Sequence, residues 1–175
     1  LGPNGAGKTT TLECLEGLRK PDSGYLRVAG VDPVQQPHQL RAVIGVQLQA
    51  SGMPENITVR ESMQLFCAYH RVTPRFDLLE RMGLQPKANT QYHALSTGQK
   101  RRLALALAIA HRPPVVLLDE PTAGLDVQSR IELHALMQEL KANGTTIMLS
   151  THDMAEAEKM ADRVAIMLRG KLAAV

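Results

Sequence analysis

Apolar positions along this chain fall into helix-spaced stretches and short unbroken runs that follow one another in alternation. Leu12, Leu15 and Leu18 recur as one face of a helix that starts in a glycine-rich stretch and is closed by the turn-rich KPDSG at 20–24. Strand-like segments are predicted at 25–29 and 42–47. Thr58 with Glu61 three residues on is a capping-box pattern, opening a helix that runs to about Tyr69. A second helix over 75–82 is expected to stop at Gly83, the residue type favoured just past a helix end. A long helix is predicted from near Ser96 to before Pro113. The run VVLL at 115–118 then enters Asp119, Glu120 and Pro121 as a buried parallel strand would. A helix over 127–142, stopped by Asn143 and Gly144, leads to a strand over 145–149. A helix over 154–161, a strand over 163–168 and the start of another at 171–175 complete the pattern.

Strands alternating with helices predict an α/β fold built on a parallel sheet. Residues 50–95 are poor in strands and rich in helix, which suggests a helical lobe inserted into that sheet. The chain therefore divides into 1–49, the helical lobe 50–95, and 96–175. Met53 and Met63 fit the core of the lobe. At 175 residues, 44% hydrophobic and 21% charged, the chain is long and apolar enough for one ordinary globular domain.

Composition narrows the function more by exclusion than by assertion. The formal charge of +3 is small, as a mildly basic solvated surface gives. Aromatic residues are 3% with no tryptophan, which argues against a base-stacking nucleic-acid surface. The longest apolar run, 103–110, is too short to span a bilayer. Cys14 and Cys67 lie far apart with no zinc spacing, so free thiols in a reducing, cytosolic setting are expected. His38, His70, His93, His111 and His134 are scattered without metal-ligand spacing and read as surface or interface residues.

The chemistry concentrates in three stretches. GPNGAGKT at 2–9 is G-x-x-x-x-G-K-T, a loop whose backbone N–H groups cradle phosphates at a helix start. Its glycines let the backbone approach oxygen atoms closely; Lys8 supplies a charge for the outer phosphates, and the Thr9 hydroxyl suits Mg²⁺. In the second stretch Asp119 ends a strand, where ligands bind in open α/β sheets, and is placed to hold Mg²⁺. Glu120 points elsewhere and can take a proton from an attacking water. The third stretch, LSTGQKRR at 95–102, offers a serine and a glycine at a helix start. Lys100, Arg101 and Arg102 oppose the dipole there, which makes sense if an anion sits at that end.

With these motifs in order, the sequence resembles the ATP-binding cassette (ABC) ATPase family over essentially its whole length. GPNGAGKTT is similar to the family's Walker A motif, LSTGQ to its signature, VVLLDEP to its Walker B and AGLD to its D-loop. STHD carries its switch histidine, and Gln49 matches the Q-loop position. The resemblance implies a P-loop NTPase core with an inserted helical lobe, ATP and Mg²⁺ as cofactors, and a second cassette packed head to tail. ATP would contact Gly2, Pro3, Asn4, Gly5, Ala6, Gly7, Lys8, Thr9 and Thr10 of one chain and Ser96, Gly98 and Gln99 of the other. Glu120 would be the general base, His152 would orient the γ-phosphate and water, and Asp126 would couple the two sites. Thr9, Gln49 and Asp119 would bind the metal, Gln49 also sensing the membrane partner.

By the same resemblance the chain is the ATP-hydrolysing subunit of a transporter, most like multidrug or export systems. It would lie at the cytosolic face of the membrane, beside separate transmembrane permease subunits. A soluble ABC ATPase acting on ribosomes or DNA, or an inactive fragment, are the alternatives. Two departures stand out. Thr97 occupies a signature position where glycine is commonest, and is expected to keep negative φ while Gly98 supplies any special geometry. The family's strand and adenine-stacking aromatic before Walker A lie outside the 175 residues, as does its C-terminal continuation, so the cassette reads as truncated at both ends.

Overall fold

The computed structural model describes residues 1–48 and 52–175, so Gln49 of the expected Q-loop lies outside the described residues. Three strands, β1 (Ile44–Gln47), β2 (Val115–Asp119) and β3 (Thr146–Ser150), form a parallel sheet in the order β1-β2-β3. Val115 pairs with Ile44 on one side and Thr146 on the other, and the register holds to the strand ends. The apolar run of β2 is explained by its central place, with Val116, Leu117 and Leu118 all buried. A separate antiparallel hairpin joins β4 (Ile166–Leu168) to β5 (Lys171–Ala174).

Alternating residues of the sheet face two helical layers. On one face Ile44 and Leu117 pack with Leu12 of α1 (Lys8–Leu15) and Leu40 of α2 (Pro37–Val43). On the other, Val116 and Leu118 join a larger cluster. It is fed by α3 (Val59–Tyr69), α4 (Phe76–Arg81), α5 (Thr97–Ile109), α6 (Val127–Ala142) and α7 (Met154–Met160). Met63 is fully buried in that cluster and Met53 packs against it. Gly45 shows how close the layers are: a Cβ there would stand 2.0 Å from the Ala108 carbonyl oxygen. Only glycine fits.

Helix boundaries follow local chemistry. The Thr58 side chain accepts from the Glu61 N–H while the Glu61 carboxylate accepts from the Thr58 N–H, the reciprocal cap expected for α3. Ser96 and Gln99 do the same for α5. Gly83 follows α4 at φ 64°.

Four expectations are corrected. Residues 25–29 form no strand; Val28 and Val31 make one isolated bridge across a tight reversal at Ala29 and Gly30. Val28 is buried in the core, but among the described residues its only pairing is that bridge to Val31, and Tyr25 is 89% exposed, so no ladder extends the segment into a strand. Residues 42 and 43 belong to α2, which Pro37 opens at a first-turn position, and β1 begins only at Ile44. Leu18 is not on the face of α1, because the helix ends at Leu15, Gly17 turns the chain at φ 73°, and Leu18 is exposed. His134 is not a surface residue but buried, and His111 is half-buried with its ring stacked on His70 at 3.7 Å.

Candidate functional site

The glycine-rich loop is held from below by the β4–β5 hairpin. The Leu1 amino group donates to the Ala165 carbonyl at 2.8 Å, Met167 N–H donates to the Leu1 carbonyl at 2.8 Å, and Gly170 N–H to that of Ala6 at 3.0 Å. A Cβ on Gly2 would come within 2.3 Å of the Met167 carbonyl oxygen, so the loop can lie on β4 only with glycine there. Gly7 precedes α1 at φ 99°, a turn that aims the helix N-terminus into the loop. Pro3, Asn4 and Gly5 are exposed along the loop and Thr10 lies outside it on α1, also exposed, while Ala6 is buried beneath.

Lys8 is buried, and its ammonium donates to the carbonyls of Gly2 at 2.7 Å and Pro3 at 3.2 Å. It also stands 3.6 Å from Glu120. The Thr9 hydroxyl donates to Asp119 Oδ2 at 2.9 Å, joining the loop to the end of β2. Asp119 is buried, and Ser150 at the end of β3 donates its hydroxyl to the other oxygen, so both carboxylate oxygens are satisfied.

The chain then turns sharply. Glu120 adopts φ 46°, and its N–H is held by the Ser150 carbonyl at 3.2 Å and the Ser150 hydroxyl at 3.1 Å. That turn sends the Glu120 carboxylate away from Asp119 and toward Lys8. His152 Nδ1 meets Glu120 Oε1 at 3.2 Å. Lys8, Thr9, Asp119, Glu120 and His152, from sites far apart in sequence, thus form one connected constellation. Ser150 binds it together and was not picked out from sequence, although it opens the STHD stretch.

A hydroxyl and a carboxylate side by side are hard oxygen donors of the kind Mg²⁺ takes together with phosphate oxygens, so Thr9 and Asp119 fit that ion. Behind them Glu16 is buried with both carboxylate oxygens unpartnered. Burial first, then the charges of Asp119 and Glu13, push it up to about 7.

The signature residues form a second cluster. Ser96 caps α5, with Gln99 as the reciprocal partner, and Thr97 and Gly98 occupy its first turn. Neither takes positive φ. Thr97 therefore behaves as expected, but Gly98 supplies no special backbone geometry; a Cβ there would make a tight 3.3 Å contact with Ser129 Oγ. Ser129 is bound in turn to Asp126, which accepts from its N–H and its hydroxyl, both at 2.8 Å. Those bonds, the backbone one foremost, hold Asp126 below the usual carboxylate range. The signature and Asp126 are thus neighbours, and no hydrogen bond or ion pair among the described residues joins them to Lys8, Thr9 or Glu120.

The ABC transporter family matches residues 1–123. The chain is 40% identical over 177 residues to the Nod factor export ATP-binding protein I of Burkholderia orbicola (strain AU 1054), covering 98% of this chain and 58% of that one. The protein of the same name in Rhizobium johnstonii (strain DSM 114642 / LMG 32736 / 3841) is also 40% identical, with 98% and 57% covered. The chain thus spans a little over half the length of these relatives. A solved ATP-binding subunit of an ABC transporter superposes with a TM-score of 0.91 at 29% identity, over 99% of this chain and 75% of that one. A dimeric, post-hydrolysis ATP-binding cassette bound to ADP and Pi gives 0.88 at 26%, over 99% and 81%. The family match over residues 1–123, together with likeness to these relatives and solved structures over nearly the whole chain, makes this chain a member of the ABC transporter family.

Proposed function

We propose that the chain binds and hydrolyses ATP as the nucleotide-binding part of an export-type ABC transporter. The observation that carries this reading is the meeting of Lys8, Thr9, Asp119, Glu120 and His152 at the C-terminal end of β2, beside the N-terminus of α1. Phosphates lie along the loop 2–9, held by its N–H groups and by Lys8. Thr9 and Asp119 would hold Mg²⁺, which would supply charge neutralisation for the transferred phosphate; Gln49, outside the described residues, is the further ligand expected from the family. Glu120 takes the proton of the attacking water, and His152, bonded to Glu120, fixes that carboxylate and reaches the γ-phosphate. Positioning and fixed charge do most of the work in such a transfer.

Among the described residues the second cluster makes no hydrogen bond or ion pair with the phosphate loop of its own chain. Ser96, Gly98 and Gln99, at an exposed helix start, are suited to close on the ATP of a second cassette packed head to tail, as the dimeric form of a neighbour supports. Asp126, beside them, lies where it can report one site to the other. No described helix is long and apolar enough to cross a membrane. In this reading separate permease subunits carry the membrane-crossing path and this chain is peripheral at the cytoplasmic face, as the relatives' naming as ATP-binding proteins of an export system supports. Export is favoured by the names of the relatives at 40% identity.

The test is Glu120→Gln in the full-length protein. ATP binding is retained, turnover falls at least ~10²-fold, the range for a positioned base, and ATP traps a dimer. Wild-type turnover in that variant removes Glu120 from the role and the reading with it.

A further inference from the structure

We infer that a polar seam between α6 and α7, centred on His134 and Glu156, positions His152 for the reaction proposed above, on which this inference rests. Four residues on one stripe of α6, spaced four, four and three apart, each meet a residue of α7 or of the segments flanking it. Arg130 Nη1 lies 3.6 Å from Asp153 Oδ2, and His134 Nε2 lies 3.0 Å from Glu156 Oε1. Gln138 donates to Met160 Sδ at 3.6 Å, and Lys141 to Asp162 at 2.6 Å.

The need for such a seam lies in His152 itself. Its side chain is 59% exposed, so packing around the imidazole does not hold it against Glu120. Its placement comes from the main chain. Asp153, the next residue, caps α7 by accepting from the N–H groups of Ala155 and Glu156, and its own N–H donates to Thr151 Oγ1 at 3.0 Å. Whatever sets the position of α7 therefore sets His152. With seven residues α7 is too short to be stable by itself, and α6 is what it leans on.

The outer contacts of the seam are exposed, and such pairs are worth little. The central one differs. His134 and Glu156 are 7% and 3% exposed, and Glu156 Oε2 has no other partner. A buried polar pair like this contributes little net stability but penalises every register that breaks it. A slide of α7 along α6 would strand Glu156 without its imidazole. The same N-terminal end of α6 that meets Asp153 through Arg130 is capped by Asp126, beside the signature residues, so one helix end adjoins both that cluster and the histidine at Glu120.

The experiment is steady-state ATPase kinetics on the full-length protein with three variants. His134→Leu/Glu156→Leu removes the pair while keeping the site apolar and filled. Its thermal midpoint stays near wild type, KM for ATP is unchanged, and kcat falls about ten-fold. Arg130→Ala, a mild surface change, lowers kcat about two-fold with KM unchanged and keeps the inference testable if the double variant does not fold. His134→Gln, which still donates to Glu156, restores kcat. In a His152→Ala background the double variant and Arg130→Ala cause no further loss, because their effect passes through that imidazole. Undiminished kcat in the folded double variant or in Arg130→Ala, or the same loss with and without His152, overturns the inference. Glu120→Gln run in parallel separates this failure from failure of the ATPase reading.

Discussion

Glu120 occupies a backbone region that costs a non-glycine residue roughly 1 kcal/mol or more, and the hydrogen bonds its N–H donates to the Ser150 carbonyl and hydroxyl oxygens offset that cost. The strain is what separates two adjacent carboxylates into two tasks, one at the hydroxyl of Thr9 and one at the amine of Lys8 and the imidazole of His152. Such residues were legible because their proposed chemistry forces their type: a phosphate loop calls for a lysine such as Lys8, and a strand-end metal ligand for a carboxylate such as Asp119. Ser150 and His134 were not, because nothing local in their neighbourhoods tells which helix or strand will lie opposite. Glu16 escaped notice for the same reason, since its burial depends on where the end of α1 comes to rest.

That burial has a measurable consequence at the same scale. Glu16 shifts from 4.5 up to about 7 on folding, so between those pH values the folded chain holds more protons than the unfolded one, and stability falls as pH rises. His111 moves oppositely, from 6.5 down to about 4, through burial first and then the neighbouring His70. Between those values the unfolded chain holds more protons, so stability rises with pH. In the wild type the two trends oppose each other from about pH 4.5 to 6.5. Glu16→Gln leaves the histidine trend alone, and its thermal midpoint rises from pH 5 to pH 6.5. His111→Gln does the reverse. Unfolding followed by circular dichroism across this range checks both; parallel profiles for the two variants would refute the assignment.

Among the elements, legibility tracked how strongly neighbours constrain each segment. The central strand β2 and the helix α6 were predicted within a residue, since an unbroken apolar run and a helix stop at Asn143 and Gly144 leave little choice. Residues 25–29 looked strand-like, but among the described residues they pair only through the isolated Val28–Val31 bridge, and local propensity yields. The start of α5 was legible as a cap and less so as a contact. Thr97 sits in its first turn at negative φ, so replacing it with glycine relieves no strain. Thr97→Gly therefore changes ATPase kcat by less than about two-fold and lowers stability by a few tenths of a kcal/mol, the helix penalty of glycine over threonine. A large rise in turnover would show that threonine hinders the signature; the ATPase assay with a denaturant melt measures both effects.

At the scale of the molecule, two clusters share no hydrogen bond or ion pair among the described residues, and the proposed function reads them as two half-sites. The phosphate loop, Asp119, Glu120 and His152 make one, and Ser96, Gly98 and Gln99 beside Asp126 make the other. If each half completes the other in a head-to-tail dimer, two inactive chains can restore one another. Lys8→Ala destroys the first half and leaves the second intact. Ser96→Arg, at an exposed position, blocks the second with only the loss of a helix cap, about 1 kcal/mol. In a mixed dimer the two lesions fall in the same composite site, and the other site is built wholly from undamaged parts. Random exchange makes about half the dimers mixed, each with one working site, so an equimolar mixture recovers about a quarter of wild-type turnover if the sites act independently. Strict coupling between sites lowers that figure but leaves it above either variant alone. Turnover of the mixture equal to the average of its two parts would mean that the signature serves its own chain, and the head-to-tail arrangement would have to be abandoned while the loop, Asp119 and Glu120 kept their roles.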